Sequence, residues 1–138
     1  MNTPFPQAND IYKVIWLVDS KHEQKLMSSL DFIDMRVTSR QLEYYSNAAQ
    51  FLGLLSNGVL TELAKSIFSL NKNQIIQKIA MLIKESIVFK NYFENNDGNE
   101  IIGLIKKIYG YSDSTALRRF VTVKVWVEWA RKILKENY

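Results

Sequence analysis

Thr38–Leu63 reads TSRQLEYYSNAAQFLGLLSNGVLTEL, and its two halves follow different rules. In the first half Leu42, Tyr45, Ala49 and Leu52 recur at helical spacing, which at 100° per residue aligns them on one core-facing stripe. Thr38 or Ser39 can open this helix, because a hydroxyl accepts from an orphan N–H of the first turn. Arg40, Tyr44 and Asn47, spaced i, i+4, i+7, form the opposite stripe, either a solvated face or one that meets a partner. In the second half Asn57-Gly58 stands between apolar runs. A type I′ turn needs positive φ at both central residues, and Asn-Gly accepts that conformation, so a tight hairpin is expected here. Thr61–Ser69 reads as a short helix leading out of the hairpin.

Upstream, both prolines (Pro4 and Pro6) lie in the first six residues and mark an extended leader. Asp10–Asp19 (DIYKVIWLVD) places Ile11, Ile15 and Val18 on one face with Val14 and Leu17 beside them, and Asp10 is a natural N-cap. Glu23–Phe32 is a weaker helix carrying Leu26, Met27 and Leu30. Helix, helix, helix, hairpin is the order of a winged helix with a very short wing.

Downstream, Asn73–Asn91 is expected to be one long helix, rich in Ile and Leu and more core than surface. Glu94–Asn99 reads as the clear loop of the second half and a candidate boundary. Glu100–Tyr109 and Ser114–Asn137 follow as helices joined by Gly110-Tyr111-Ser112-Asp113, a helix-turn-helix pattern. The expected fold is therefore mainly α with a small β-hairpin. It comprises a winged helix-turn-helix with its leader over 1–70 and a second helix-turn-helix-like helical unit over 71–138, packed as one body.

Composition narrows the function. The 138 residues are 47% hydrophobic and 12% aromatic, enough to bury a core. Charges interrupt every apolar stretch, no basic, apolar leader is present, and Cys is absent, so a cytoplasmic protein without disulfides or thiolate metal sites is expected. Residues 1–99 balance ten Lys/Arg against ten Asp/Glu, whereas 100–138 carry eight against four. A basic segment on a neutral body suggests an anionic partner, nucleic acid first, or else a solvated Lys-rich surface.

TSRQLEYYSNAAQFLGLL followed by LTELAKSIF resembles a winged-helix module of many bacterial type II restriction endonucleases and related proteins. The shared features are Arg-Gln, paired Tyr, Asn-Ala, a Leu-Gly-Leu strand, and Leu-Thr opening the next helix. STALRRFVTVKVWVEWA resembles that module's second signature, with Ser-Thr, paired Arg, Thr-Val and two Trp three residues apart. The resemblance spans residues 5–134, including the leader Phe5-Pro6-Gln7-Ala8. It implies a DNA-binding or specificity module that works with a nuclease domain or subunit. The wing here is shorter than the family's, and the chain has no room for the catalytic domain.

Double-stranded DNA is thus the expected partner, with Arg40, Gln41, Tyr44, Asn47, Arg118, Arg119, Thr122 and Lys124 as candidate contacts. Arg40 and Arg119 can fork onto phosphate or guanine, Gln41 or Asn47 can pair with adenine, and Tyr44 can meet sugar or phosphate. Asn47 is open between a fold-holding and a base-reading role. Tyr45, Trp126 and Trp129 read as core, the two Trp having a base-stacking platform as the alternative.

Catalysis, metals and cofactors are not expected. His22 is the single His, flanked by charged residues and expected to be exposed. Asp31, Asp34 and Lys25 lack the strands and spacing of a metal-dependent nuclease, and no phosphate-cradling Gly-rich loop occurs. Two further readings stand beside DNA recognition. One is a protein-interaction adaptor using Tyr44, Tyr92, Tyr109 and Tyr111; the other is a stand-alone winged-helix regulator.

Overall fold

A computed structural model describes residues 3–22 and 38–135, and the predicted helix Glu23–Phe32, with Lys25, Asp31 and Asp34, lies outside them. Among the described residues the protein is mainly helical, with seven helices and one two-stranded antiparallel hairpin. The chain divides into two units, Met1–Leu70 and Asn71–Tyr138.

The first unit contains α1 (Ile11–His22), α2 (Ser39–Phe51), β1 (Leu55–Ser56), β2 (Val59–Leu60) and α3 (Glu62–Phe68). Asp10 accepts from the Tyr12 N–H at 3.1 Å, so α1 starts at the expected cap and runs three residues past Asp19. Its buried face is Ile11, Val14, Leu17 and Val18; Ile15 turns to the half-buried edge. Ala48 and Ala49 are fully buried on α2, which packs against α1. The leader is extended yet packed, with Phe5 edge-on to Phe51 at 5.6 Å. His22 is half-buried, its ring 6.4 Å from Phe68, and not exposed as expected.

The hairpin has a two-residue loop. Leu55 pairs with Leu60 and Ser56 with Val59, while Asn57 and Gly58 take φ of 52° and 79°. Thr61 then joins hairpin to helix: its hydroxyl donates to the Gly53 carbonyl at 2.7 Å and accepts from the Ala64 N–H at 3.1 Å.

The second unit contains α4 (Lys72–Glu85), α5 (Phe89–Asn95), α6 (Gly98–Tyr109) and α7 (Asp113–Leu134). α7 is the axis, packing against the other three. Trp126 is fully buried and stacks on Phe89 at 5.2 Å. Three expectations are corrected. The long helix Asn73–Asn91 is broken at Ser86-Ile87-Val88, where the Ser86 hydroxyl donates back to the Leu82 carbonyl and Val88 adopts φ 74°. Its first part is amphipathic and buries only Ile79, Ala80 and Ile83, because a single stripe faces its neighbours. The polar run Glu94–Asn99 is neither a long loop nor a boundary: Asn96, left-handed at φ 55°, and Asp97, the cap of α6, make a two-residue joint inside this unit.

Trp129 is half-buried, whereas Trp126 is inaccessible, so the two Trp are not equivalent. Trp126→Ala should cost about 3–5 kcal/mol, the usual penalty for emptying a buried aromatic site, and Trp129→Ala clearly less. Denaturant unfolding of both variants checks the order. Val88 offers a second test. A β-branched residue at positive φ is strained by roughly 1–3 kcal/mol, and glycine relieves that strain. Val88→Gly empties one carbon more of buried space than Val88→Ala, yet the Gly variant should melt at or above the Ala variant, reversing the usual order. A lower melting temperature for Val88→Gly would contradict the strain.

Candidate nucleic-acid interface

α2 begins with a reciprocal cap. The Thr38 hydroxyl accepts from the Gln41 N–H at 3.1 Å, and the Gln41 side-chain oxygen accepts from the Thr38 N–H at 3.0 Å. Gln41 is therefore held as a capping residue, which constrains it as an adenine reader. One residue before it, Arg40 is exposed. Its Nε–H donates to the Tyr44 hydroxyl at 2.8 Å, one helical turn on, and the guanidinium carbon lies 5.7 Å from the ring centroid. That bond uses Nε alone, so the two terminal amino groups are the ones placed to meet an acceptor. Tyr44 and Asn47 are half-buried, and the stripe deepens from Arg40 toward Asn47. Tyr45 and Ala49 are buried as expected, with Leu42 half-buried beside them. Burial, reinforced by the Asp10 charge, raises the Tyr45 phenol above its ordinary pKa.

The candidates on α7 do not share one surface. Thr122 is 1% exposed, on the stripe that carries Trp126 one turn later, so it is a core residue and not a DNA contact. Arg118 is exposed and donates to the Thr115 hydroxyl at 3.3 Å. Lys124 is exposed as well, but six residues after Arg118, about 240° around the helix. Arg119 points to another neighbour. Its guanidinium carbon sits 5.5 Å from the Tyr111 ring, which stacks on Tyr109 at 5.6 Å and 20°. The Arg119 Nε is buried and makes no hydrogen bond among the described residues, so the aromatic face is its main compensation. Burial, with Tyr111 adding a smaller effect, raises the Tyr109 phenol.

Two arrangements were not expected. Arg131 clamps the end of α5, donating to the Asn96 side-chain oxygen at 3.1 Å and the Tyr92 carbonyl at 3.3 Å. Its guanidinium lies over both Tyr92 and Phe93, at 5.7 and 5.5 Å. Tyr92 is consequently buried, at 8% exposure, and drops out of the set of contact tyrosines. A left-handed helix end attracting a cation from the last helix was the available signal, since orphan carbonyls favour positive charge. The charge division is also sharper along the structural boundary: Asn71–Tyr138 holds twelve Lys/Arg and seven Asp/Glu, Met1–Leu70 six and seven.

Across the α6–α7 turn Lys106 pairs with Asp113. The hydrogen bond from Lys106, then its charge, hold the Asp113 carboxyl below the ordinary carboxylate range, against slight desolvation. A depressed folded pKa adds stability above the unfolded value and loses it as pH falls through the folded one. Both side chains are substantially exposed, so the stabilisation is small. Lys106→Met should raise the Asp113 midpoint in a carboxyl NMR titration; an unchanged midpoint would contradict the pairing.

No helix among the described residues is long and apolar enough to cross a membrane. No curated protein and no solved structure matches the chain. Residues 13–135 match DUF7226, described as a domain of unknown function, and that match covers most of the sequence. The chain belongs to the DUF7226 family.

Proposed function

We propose that the protein is a non-catalytic module that binds double-stranded DNA and serves as the recognition part or subunit of a restriction-modification system. The observation that carries the reading is Arg40. It stands exposed on the first turn of a capped helix, braced by Tyr44, directly before a tight hairpin and a capped third helix. In a winged-helix arrangement that helix enters the major groove, where the two terminal amino groups of an Arg match O6 and N7 of guanine. The neighbouring residues favour the same assignment: Tyr44 is half-buried and orients Arg40, and Asn47 is half-buried and better suited to holding the helix than to reading a base.

The basic second unit supplies the sequence-independent part. Its excess of Lys/Arg resembles the electrostatic footprint of a phosphate-binding surface. Arg118, Lys124 and Lys107 are exposed on different faces, so this contribution is a diffuse field and not a single track. The resemblance to restriction-endonuclease modules gives the biological setting, in the cytoplasm and alongside a nuclease domain or subunit.

Arg40→Ala and Arg118→Ala separate the two roles in anisotropy titrations against a selected duplex and a scrambled one. Arg40→Ala should cost about 1–3 kcal/mol on the selected site and much less on the scrambled one. Arg118→Ala should weaken both equally and lower the salt slope by about one unit. Arg119→Ala should lower the melting temperature, because it uncovers Tyr111, and should change the salt slope less than Arg118→Ala. Equal loss on both duplexes for Arg40→Ala moves Arg40 to the backbone class. No loss for any variant, with folding intact, overturns the DNA reading in favour of a protein-interaction adaptor.

A further inference from the structure

The last helix carries a face that its own unit leaves uncovered. Leu117, Val121 and Val125 are 56%, 46% and 37% exposed, one turn apart along α7. At 100° per residue they form a single apolar ridge. Ser114, Glu128 and Lys132, all exposed, lie within the same arc, and Arg118 and Lys124, exposed as well, border it on opposite edges. The opposite side holds Ala116, Val123, Trp126, Val127 and Ala130 in the core, so the ridge is not a weakly packed inner face. Isolated surface hydrophobes need no explanation, whereas a contiguous row framed by charges marks an interaction surface.

The order of charges along this face selects the occupant. We propose that it is the same face of a second copy of this chain, laid antiparallel across a two-fold axis near Val123. In that register Val121 of each copy meets Val125 of the other, and Leu117 closes each end of the apolar strip. Arg118 of each copy then lies opposite Glu128 of the other, giving two identical ion pairs, and Ser114 lies opposite Lys132. Among the described residues Glu128 makes no ion pair within its own chain, so its charge is available to the partner. The parallel alternative sets Arg118 against Arg118, Lys124 against Lys124 and Glu128 against Glu128, and like charges in register repel. A two-fold contact of this kind is self-complementary, as closed symmetry demands.

Three apolar side chains per copy bury less than a standard interface, and the two Lys124 side chains approach each other on one flank. The dimer is therefore weak, with a dissociation constant on the order of 0.1 mM. It does not depend on DNA binding and is tested without nucleic acid.

Sedimentation equilibrium of the intact chain between about 10 µM and 1 mM reads the association directly. The native protein should shift from monomer to dimer over that range, and Val121→Glu should abolish the shift while leaving the melting temperature near that of the parent. Arg118→Glu and Glu128→Arg should each weaken association at least about tenfold, and the double variant should restore it. Because the chain has no Cys, Val121→Cys with Val125→Cys adds a second readout: oxidation should give a dimer from the pair of substitutions and little from Val121→Cys alone. A native monomer throughout the range overturns the proposal, as does a dimer indifferent to Val121→Glu. Failure of the charge swap to restore association, or efficient cross-linking by Val121→Cys alone, overturns the antiparallel register.

Discussion

Every helix leaves the N–H groups of its first turn without intrahelical acceptors, and a chain this rich in short helices meets that demand repeatedly. Six of the seven described helices answer it with the side chain of the residue just before the first turn: Asp10, Thr38, Thr61, Asn71, Asp97 and Ser112. Each such cap contributes about 1 kcal/mol, but their larger effect is positional. Thr61 shows it best. One hydroxyl ties the Gly53 carbonyl at the hairpin's base to the first turn of α3, so hairpin and helix cannot drift apart. The direction in which α2 presents Arg40 is likewise set by the Thr38–Gln41 cap.

The exception explains where the architecture departs from the pattern of residues. α5 begins after Val88 with no side-chain cap and with a buried, β-branched residue at positive φ. Ser86-Ile87-Val88 carries only a weak turn signal: there is no Gly or Pro, and Ser86 alone offers a hydroxyl that can bond back to the preceding turn. Beyond the break Phe89 is buried and stacks on Trp126, a tertiary contact that local spacing does not reveal. The Asp10 and Thr38 caps and the Asn57-Gly58 hairpin were legible because their chemistry is local. The polar run Glu94–Asn99 misled for the converse reason, since Asp97 and Asn96 serve as helix cap and helix end and shorten the joint to two residues.

The candidate contacts divide the same way. Spacing correctly paired Arg40 with Tyr44 and separated both from Tyr45. It could not say how wide an arc of α7 is covered, and α7 is packed by three helices, so Thr122 falls inside. Nor could it foresee that Arg131 and Arg119 would lie over aromatic rings, because those rings come from other elements. Arginine in this fold is thus shared between two kinds of work. Arg131 holds α5 and Arg119 braces the α6–α7 turn, while Arg40 and Arg118 remain at the surface.

The proposed division of labour places base reading in a unit that is slightly acidic and phosphate attraction in one that is strongly basic. Such a protein should bind any duplex through its charge and discriminate through few contacts. The salt dependence of native binding to a mixed-sequence duplex, read by anisotropy, tests this most directly. The account predicts a straight log–log line falling by about 0.9 for each phosphate neutralised, for a total of roughly 2–4 units. Absence of binding at low salt, or an affinity that salt does not change, would contradict it.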